Sequence, residues 1–232
     1  MNPVQDNAME SETDDASGIP LIGDEFPHLA VETTHGEIDL PDDYAGEWVV
    51  LFSHPGDFTP VCTTEFVAFE DRREEFEQRD ANLIGLSVDR VHSHLKWVDW
   101  IEEEIGVEIG FPIIADESGR VGEQLGMIQS GAGTSTVRAV FVVDPDGVVR
   151  QVLYYPEEIG RNIDEILRSL DALQKSDDEG VATPANWPEN DRFDDRVLLP
   201  PPGSRGAVEQ RESEADDEGY EQYDWWFTLS EQ

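Results

Sequence analysis

The only cysteine of this chain, Cys62, ends the octapeptide Pro55-Gly-Asp-Phe-Thr59-Pro-Val-Cys62, where the apolar run Trp48–Ser53 breaks and a helix-like segment begins. A thiol in the first turn of a helix sees the positive end of the helix dipole and unpaired amide groups, which favour thiolate. A lone cysteine can also be an inert core residue. Its place at a helix start reads instead as reactive sulfur chemistry. At the ordinary pKa of a thiol only about 3% is ionised near neutral pH. Full ionisation then gains no more than about thirty-fold, and part of that is lost because a less basic thiolate is a poorer nucleophile. A fast reaction must draw the rest from groups that hold the reacting partner in line and stabilise the charge that leaves it.

Other constellations are weaker. His92-Ser-His94 offers two metal-type ligands and no third nearby, and Gly85-Leu-Ser87-Val-Asp89 lacks the last glycine of a serine-hydrolase elbow. There is no phosphate-binding glycine loop, and a single cysteine excludes an internal disulfide, a Cys-x-x-Cys pair or a thiolate zinc cluster. Neither a metal nor a cofactor is expected.

The elements that must position Cys62 can be read from periodicity. Residues 1–18 are polar, acidic and aperiodic and are expected to form a disordered tail. Ala30–Thr34 and Glu37–Leu40 flank His35-Gly36 as a hairpin, and Trp48–Ser53 is a strand. From Cys62 to Arg79 a helix is expected, with Phe66, Phe69 and Phe76 on one side. Ala81–Val88 reads as a buried strand, and His92–Ile105 as a helix with Leu95, Val98 and Ile101 inward. A short strand, Phe111–Ala115, and a short helix, Val121–Leu125, follow. Strands Val137–Val143 and Val148–Tyr154 surround the turn Asp144-Pro-Asp-Gly147, and Ile159–Leu173 is the last helix of a domain spanning residues 19–174. This order, with the cysteine after an early central strand, fits an α/β thioredoxin-like fold with a mixed central sheet flanked by helices. Residues 175–232 are rich in proline and acids and end in Tyr220, Tyr223, Trp225, Trp226 and Phe227. They are expected to be an extended C-terminal arm, anchored by its aromatics on its own domain or at a dimer interface.

Charge narrows the partners. The 53 acidic residues outnumber the 15 basic ones, giving a net charge of −38 and arguing against nucleic acid or anionic lipid as a partner. Regular apolar patterning from Leu21 to Gln174 opposes disorder as the reason for the acidity, so a surface adapted to high salt is expected. No apolar run is long enough for a membrane span, residues 1–18 do not look like a secretory signal, and one cysteine suits a reducing cytoplasm.

The stretch His54-Pro-Gly-Asp-Phe-Thr-Pro-Val-Cys62-Thr-Thr-Glu65 resembles the Pro-x-x-x-Thr-x-x-Cys active-site motif of peroxiredoxins. Arg138-Ala-Val-Phe-Val-Val-Asp-Pro-Asp-Gly147, Tyr154-Tyr-Pro156, Gly160-Arg-Asn162 and Asp224-Trp-Trp-Phe227 add to the likeness in the right order, over about residues 20–228. The long arm points to the one-cysteine subgroup and its archaeal thiol-dependent peroxidases. The resemblance implies that Cys62 attacks a peroxide and becomes a sulfenic acid. Thr59 would aim its hydroxyl at sulfur and peroxide, though a helix N-cap is an alternative. Pro55, with no amide hydrogen, would shape the pocket. Arg138 would hold thiolate and peroxide, and Glu65, one turn beyond Cys62, could orient it or merely complement the helix dipole. Arg150 resembles the family's second arginine near the pocket. His54 could hydrogen-bond near the sulfur or close its strand structurally. Archaeal relatives carry further cysteines around Asp224-Trp-Trp-Phe227, where this chain has Gln222 and Thr228, so an external thiol must reduce Cys62. The family assembles as dimers and rings of five dimers, which implies a homodimer, with a homodecamer as the larger assembly. The competing reading is a ring-forming chaperone or peroxide sensor with little turnover.

Overall fold

Trp48–Ser53 lacks polar alternation because it becomes a central strand, covered on both faces. The computed structural model describes residues 18–128, 133, 135–214 and 220–230. The acidic tail expected at residues 1–18 therefore lies almost wholly outside the described residues. The strands are β1 (Leu29–Thr33), β2 (Gly36–Leu40), β3 (Trp48–Ser53), β4 (Ala81–Ser87), β5 (Ile113–Ala115), β6 (Arg138–Val143) and β7 (Val149–Tyr155). They form one mixed sheet in the order β2-β1-β5-β4-β3-β6-β7. The pairs β3–β4 and β4–β5 are parallel, and the other pairings are antiparallel.

The helices are α1 (Pro60–Asp71), α2 (Arg73–Glu77), α3 (Val91–Ile105), α4 (Arg120–Gln124) and α5 (Ile163–Glu179). Strand alternation sends Trp48, Val50 and Phe52 to one face, where they pack with Phe66, Phe69, Phe76, Trp97, Ile101 and Ile166. Val49 and Leu51 face the other way, onto a core with Leu29, Val121 and Leu125. Covering both faces makes continuous apolar strands stable. The order of elements is the one the sequence predicts.

Three details differ. The helix expected over residues 62–79 breaks at Arg72, leaving α1 and α2 as separate pieces. On α3 the buried face carries His94, Trp97 and Ile101, while Leu95 is 43% exposed and Val98 half-buried. The bulkier Trp97 wins the core position, and an i, i+3, i+7 stripe then turns Leu95 outward. The expected boundary at 174 falls inside α5, which ends only where Gly180 adopts the left-handed φ of +65°. Beyond it, β8 (Val197–Leu198), α6 (Arg205–Glu214), β9 (Glu221–Asp224) and β10 (Phe227–Ser230) follow. The three strands pair antiparallel in the order β8-β10-β9, so the arm has a small sheet of its own. Arg168 of α5 donates to the carbonyl of Trp187 at 3.2 Å and ties the arm to the domain. Among the described residues no helix is long and apolar enough to cross a membrane.

Candidate active site

The chain leaves β3 at Ser53, turns through His54–Thr59, and enters α1 at Pro60, a residue suited to a first helical position. Cys62 is therefore the third residue of α1, within the turn whose amide groups have no intrahelical acceptor. Its sulfur is fully buried. It is not sealed in apolar packing, because Arg138 Nη1 donates to it at 3.2 Å.

Arg138 reaches the sulfur because β6 lies beside β3. Ser53 pins that neighbourhood, its Oγ donating to the Val137 carbonyl at 2.6 Å and accepting from the Ala139 amide at 3.0 Å. The guanidinium is then held from two sides. Nε and Nη2 donate to the Glu157 carbonyl at 3.0 and 2.8 Å, and Nη1 donates to Glu65 Oε2 at 2.6 Å. Glu65, one helical turn after Cys62 and buried, accepts that bond from Arg138.

The second arginine of the site is not the expected one. Arg150 sits at the far end of the β6–β7 ladder, where Arg138 pairs with Tyr155 and Val143 with Val149. It binds Asp144 at 3.1 Å and Asp177 at 2.6 Å, over the ring of Trp48. Four or five strand residues, about 15 Å, separate that end from the sulfur. The position near Cys62 is taken by Arg161, whose side chain is wholly buried. Its amide and Nε donate to Glu65 Oε1 at 2.8 and 2.9 Å, and Nη2 donates to Oε2 at 2.8 Å. Nη1 donates to the carbonyls of Ser53 and Ala139 at 2.8 and 3.0 Å, and the plane covers Phe52 and Phe69. Burial lowers its pKa from the usual guanidinium value, and Glu65 works against that loss. The signal for Arg161 was in the Gly160-Arg-Asn162 stretch, to which the sequence reading gave no role.

Two guanidinium groups against one carboxylate leave one surplus positive charge beside Cys62. A thiolate would complete the balance, in a setting where unpaired charge is costly. Pro55 and Thr59 are half-buried on the loop before α1. Thr59 has the extended backbone of an N-cap, but its hydroxyl donates to the Gly56 carbonyl at 2.9 Å and caps no amide.

His54 ends its strand rather than touching sulfur. Its amide donates to the Leu86 carbonyl at 2.9 Å, and its ring Nε2 lies 2.9 Å from Asp57 Oδ1. Burial lowers the pKa of His54, opposed by Asp57. Burial also disfavours charge on Asp57, but hydrogen bonds from His54 and His94 outweigh it and hold its pKa well below the usual carboxylate range. The pair His92 and His94 is parted by α3, with His92 exposed and His94 buried. His54, Asp57 and His94 do bring three ligand-type atoms within 4.8 Å of one another. Each ring nitrogen aimed at Asp57 lies at hydrogen-bond distance, so an ion is not needed to hold the set together.

Comparison with known proteins agrees with this geometry. Residues 22–152 match the AhpC/TSA family, and residues 172–214 match the C-terminal domain of 1-Cys peroxiredoxin. A peroxiredoxin of Thermotoga petrophila is 59% identical, with 90% of this chain and 96% of that protein covered. One of Archaeoglobus fulgidus is 57% identical, with 90% and 97% covered. Among solved structures, a yeast mitochondrial 1-Cys peroxiredoxin, described for thiol resolution through glutathione and thioredoxin systems, superposes with a TM-score of 0.79 at 39% identity. That likeness covers 91% of this chain and 99% of the yeast chain. A likeness of this extent, around a lone sulfur held by an arginine, carries the assignment: the chain belongs to the peroxiredoxin (AhpC/TSA) family and is a thiol-dependent peroxidase with one cysteine.

Proposed function

We propose that Cys62 reduces hydrogen peroxide and organic hydroperoxides, with Arg138 and Thr59 as its catalytic partners. The observation that carries this reading is the 3.2 Å contact between Arg138 and a sulfur at a helix start. The thiolate attacks the terminal peroxide oxygen, the S–O bond forms and the O–O bond breaks. The departing oxygen takes a proton and leaves as water or an alcohol, and sulfur, oxidised by two electrons, becomes a sulfenic acid. Arg138 stabilises charge on both oxygens, and Glu65 fixes Arg138. Thr59 turns its hydroxyl from Gly56 to the peroxide, and Pro55 walls the pocket without offering a competing donor. The buried sulfur requires a small local opening to admit its substrate.

With no second cysteine in the chain, reduction falls to an external thiol. One thiol condenses with the sulfenic acid, releasing water and leaving a mixed disulfide. A second thiol attacks that disulfide and restores Cys62. The working assembly is a homodimer, with a decameric ring as the larger form. Exposed Tyr223, Trp225 and Trp226 on the arm support contact with a second copy. A single cysteine fits work in the cytoplasm, and the net charge of −38 fits a surface adapted to salt. His54 and Arg150 have structural rather than chemical roles.

The test is peroxide consumption with a dithiol donor. Wild type should turn over and Cys62→Ser should not. A serine variant that consumed peroxide at the wild-type rate would overturn the reading.

A further inference from the structure

A polar cluster lies in the core beside the sulfur site without touching the sulfur. His94 and Asp57 are fully buried at their side chains, with 0% and 1% exposure. Nδ1 of His94 lies 3.0 and 2.9 Å from the two carboxylate oxygens of Asp57, and Nε2 lies 3.3 Å from the Ile114 carbonyl. A carboxylate only accepts, so Nδ1 of His94 is the donor to Asp57. His54 gives its Nε2 hydrogen to Asp57 Oδ1, and its buried Nδ1 has no partner.

Asp57 belongs to the loop that leads into Cys62. Its amide donates to Asp89 Oδ2 at 2.9 Å, and Asp89 in turn accepts from Ser87 Oγ at 2.9 Å. The next residue, Phe58, holds a φ of +54°, a left-handed conformation that a phenylalanine adopts only when its surroundings enforce it. Thr59 follows directly. Helix α3 grips this segment twice, from neighbouring turns of one buried face. His94 holds Asp57, and Trp97 Nε1 donates to Thr63 Oγ1 at 3.3 Å. Thr63 Oγ1 itself donates to the Thr59 carbonyl at 2.8 Å. The two grips fall on either side of Cys62.

We propose that His94 is a positioning residue for the peroxidase reaction: its ring holds Asp57, and through Asp57 the loop that sets Pro55 and Thr59 against the sulfur. The proposal rests on Cys62 being the reacting atom. It is a rigid-support role, because a misplacement of about 1 Å can cost on the order of 100-fold in rate.

The experiment uses the position of the two ring nitrogens. An asparagine at 94 places its amide nitrogen near Nδ1 and can still donate to Asp57, whereas a glutamine reaches toward Nε2 and Ile114. Rapid-mixing rates of Cys62 oxidation by hydrogen peroxide are compared with melting temperatures for both variants. His94→Gln should slow the reaction by about 10- to 100-fold, and His94→Asn should restore most of the rate, with both melting alike. Wild-type rates in both variants, or rates that follow melting temperature alone, would overturn the proposal. Should His94→Gln fail to fold, Asp57→Asn makes the same test, and a wild-type rate there would also overturn it. A Cys62→Ser control that still consumed peroxide would instead remove the reading of the active site itself.

Discussion

At Glu65 a single carboxylate answers two guanidinium groups, and the consequence is a site that stands or falls together. Arg161 gives Glu65 three donors, and Arg138 gives one while touching the sulfur. Removing one member of a buried, hydrogen-bonded ionic set strands the others, so Arg161→Ala should cost about 3–5 kcal/mol of stability. Arg150→Ala, at a partly exposed pair with Asp177, should cost less than about 1 kcal/mol. Denaturant melts of the two variants check this, and equal losses would contradict it. The contrast also shows why the resemblance put the second arginine at Arg150 rather than Arg161. Both follow from scarce basic positions near apolar strands, and nothing local tells a buried guanidinium from one that meets Asp144 and Asp177. Arg138 was legible through the family resemblance of the stretch Arg138–Gly147. Asp57 and His94 were not, since their contact joins positions 37 apart through the packing of α3.

The elements were the most legible part of the chain. Apolar runs of β3, β4 and β6 and the turn at Asp144–Gly147 carry their own signals, and the turn forms with the Asp144 side chain accepting two amides. The small sheet of the arm was invisible, because two- and four-residue strands have no periodicity and gain their stability only from one another. The loop between β3 and α1 makes a prediction at this scale. His54 has its pKa lowered by burial, so the folded protein keeps it neutral where an unfolded chain would protonate it. Below about pH 6.5 the unfolded state binds the extra proton, and stability is lost as pH falls toward the depressed folded value. Melting temperatures from about pH 8 to about pH 5.5 should fall faster for wild type than for His54→Gln. Parallel curves would contradict the neutral, buried imidazole.

For the whole molecule, charge is the dominant fact. The apolar clusters on the two faces of the sheet are those of an ordinary α/β domain, while the net charge is −38. Several of the scarce arginines, Arg72, Arg73, Arg79 and Arg168 among them, are already committed to carboxylates. Most acids therefore have no cation to meet, and their repulsion must be screened. At molar salt the Debye length is about 3 Å, against about 30 Å at 10 mM. The melting temperature should rise steadily across that range of potassium chloride. A salt-independent melt would mean that the acidity has no bearing on stability.

The most direct test of the account is mass spectrometry of Cys62 after stoichiometric hydrogen peroxide, with a sulfenic-acid trap present. A sulfur held by Arg138 at a helix start should give the trapped adduct within milliseconds to seconds, and Arg138→Lys should slow its appearance by about 10- to 100-fold. An adduct that forms only over minutes at millimolar peroxide, or at the same rate in the lysine variant, would contradict it.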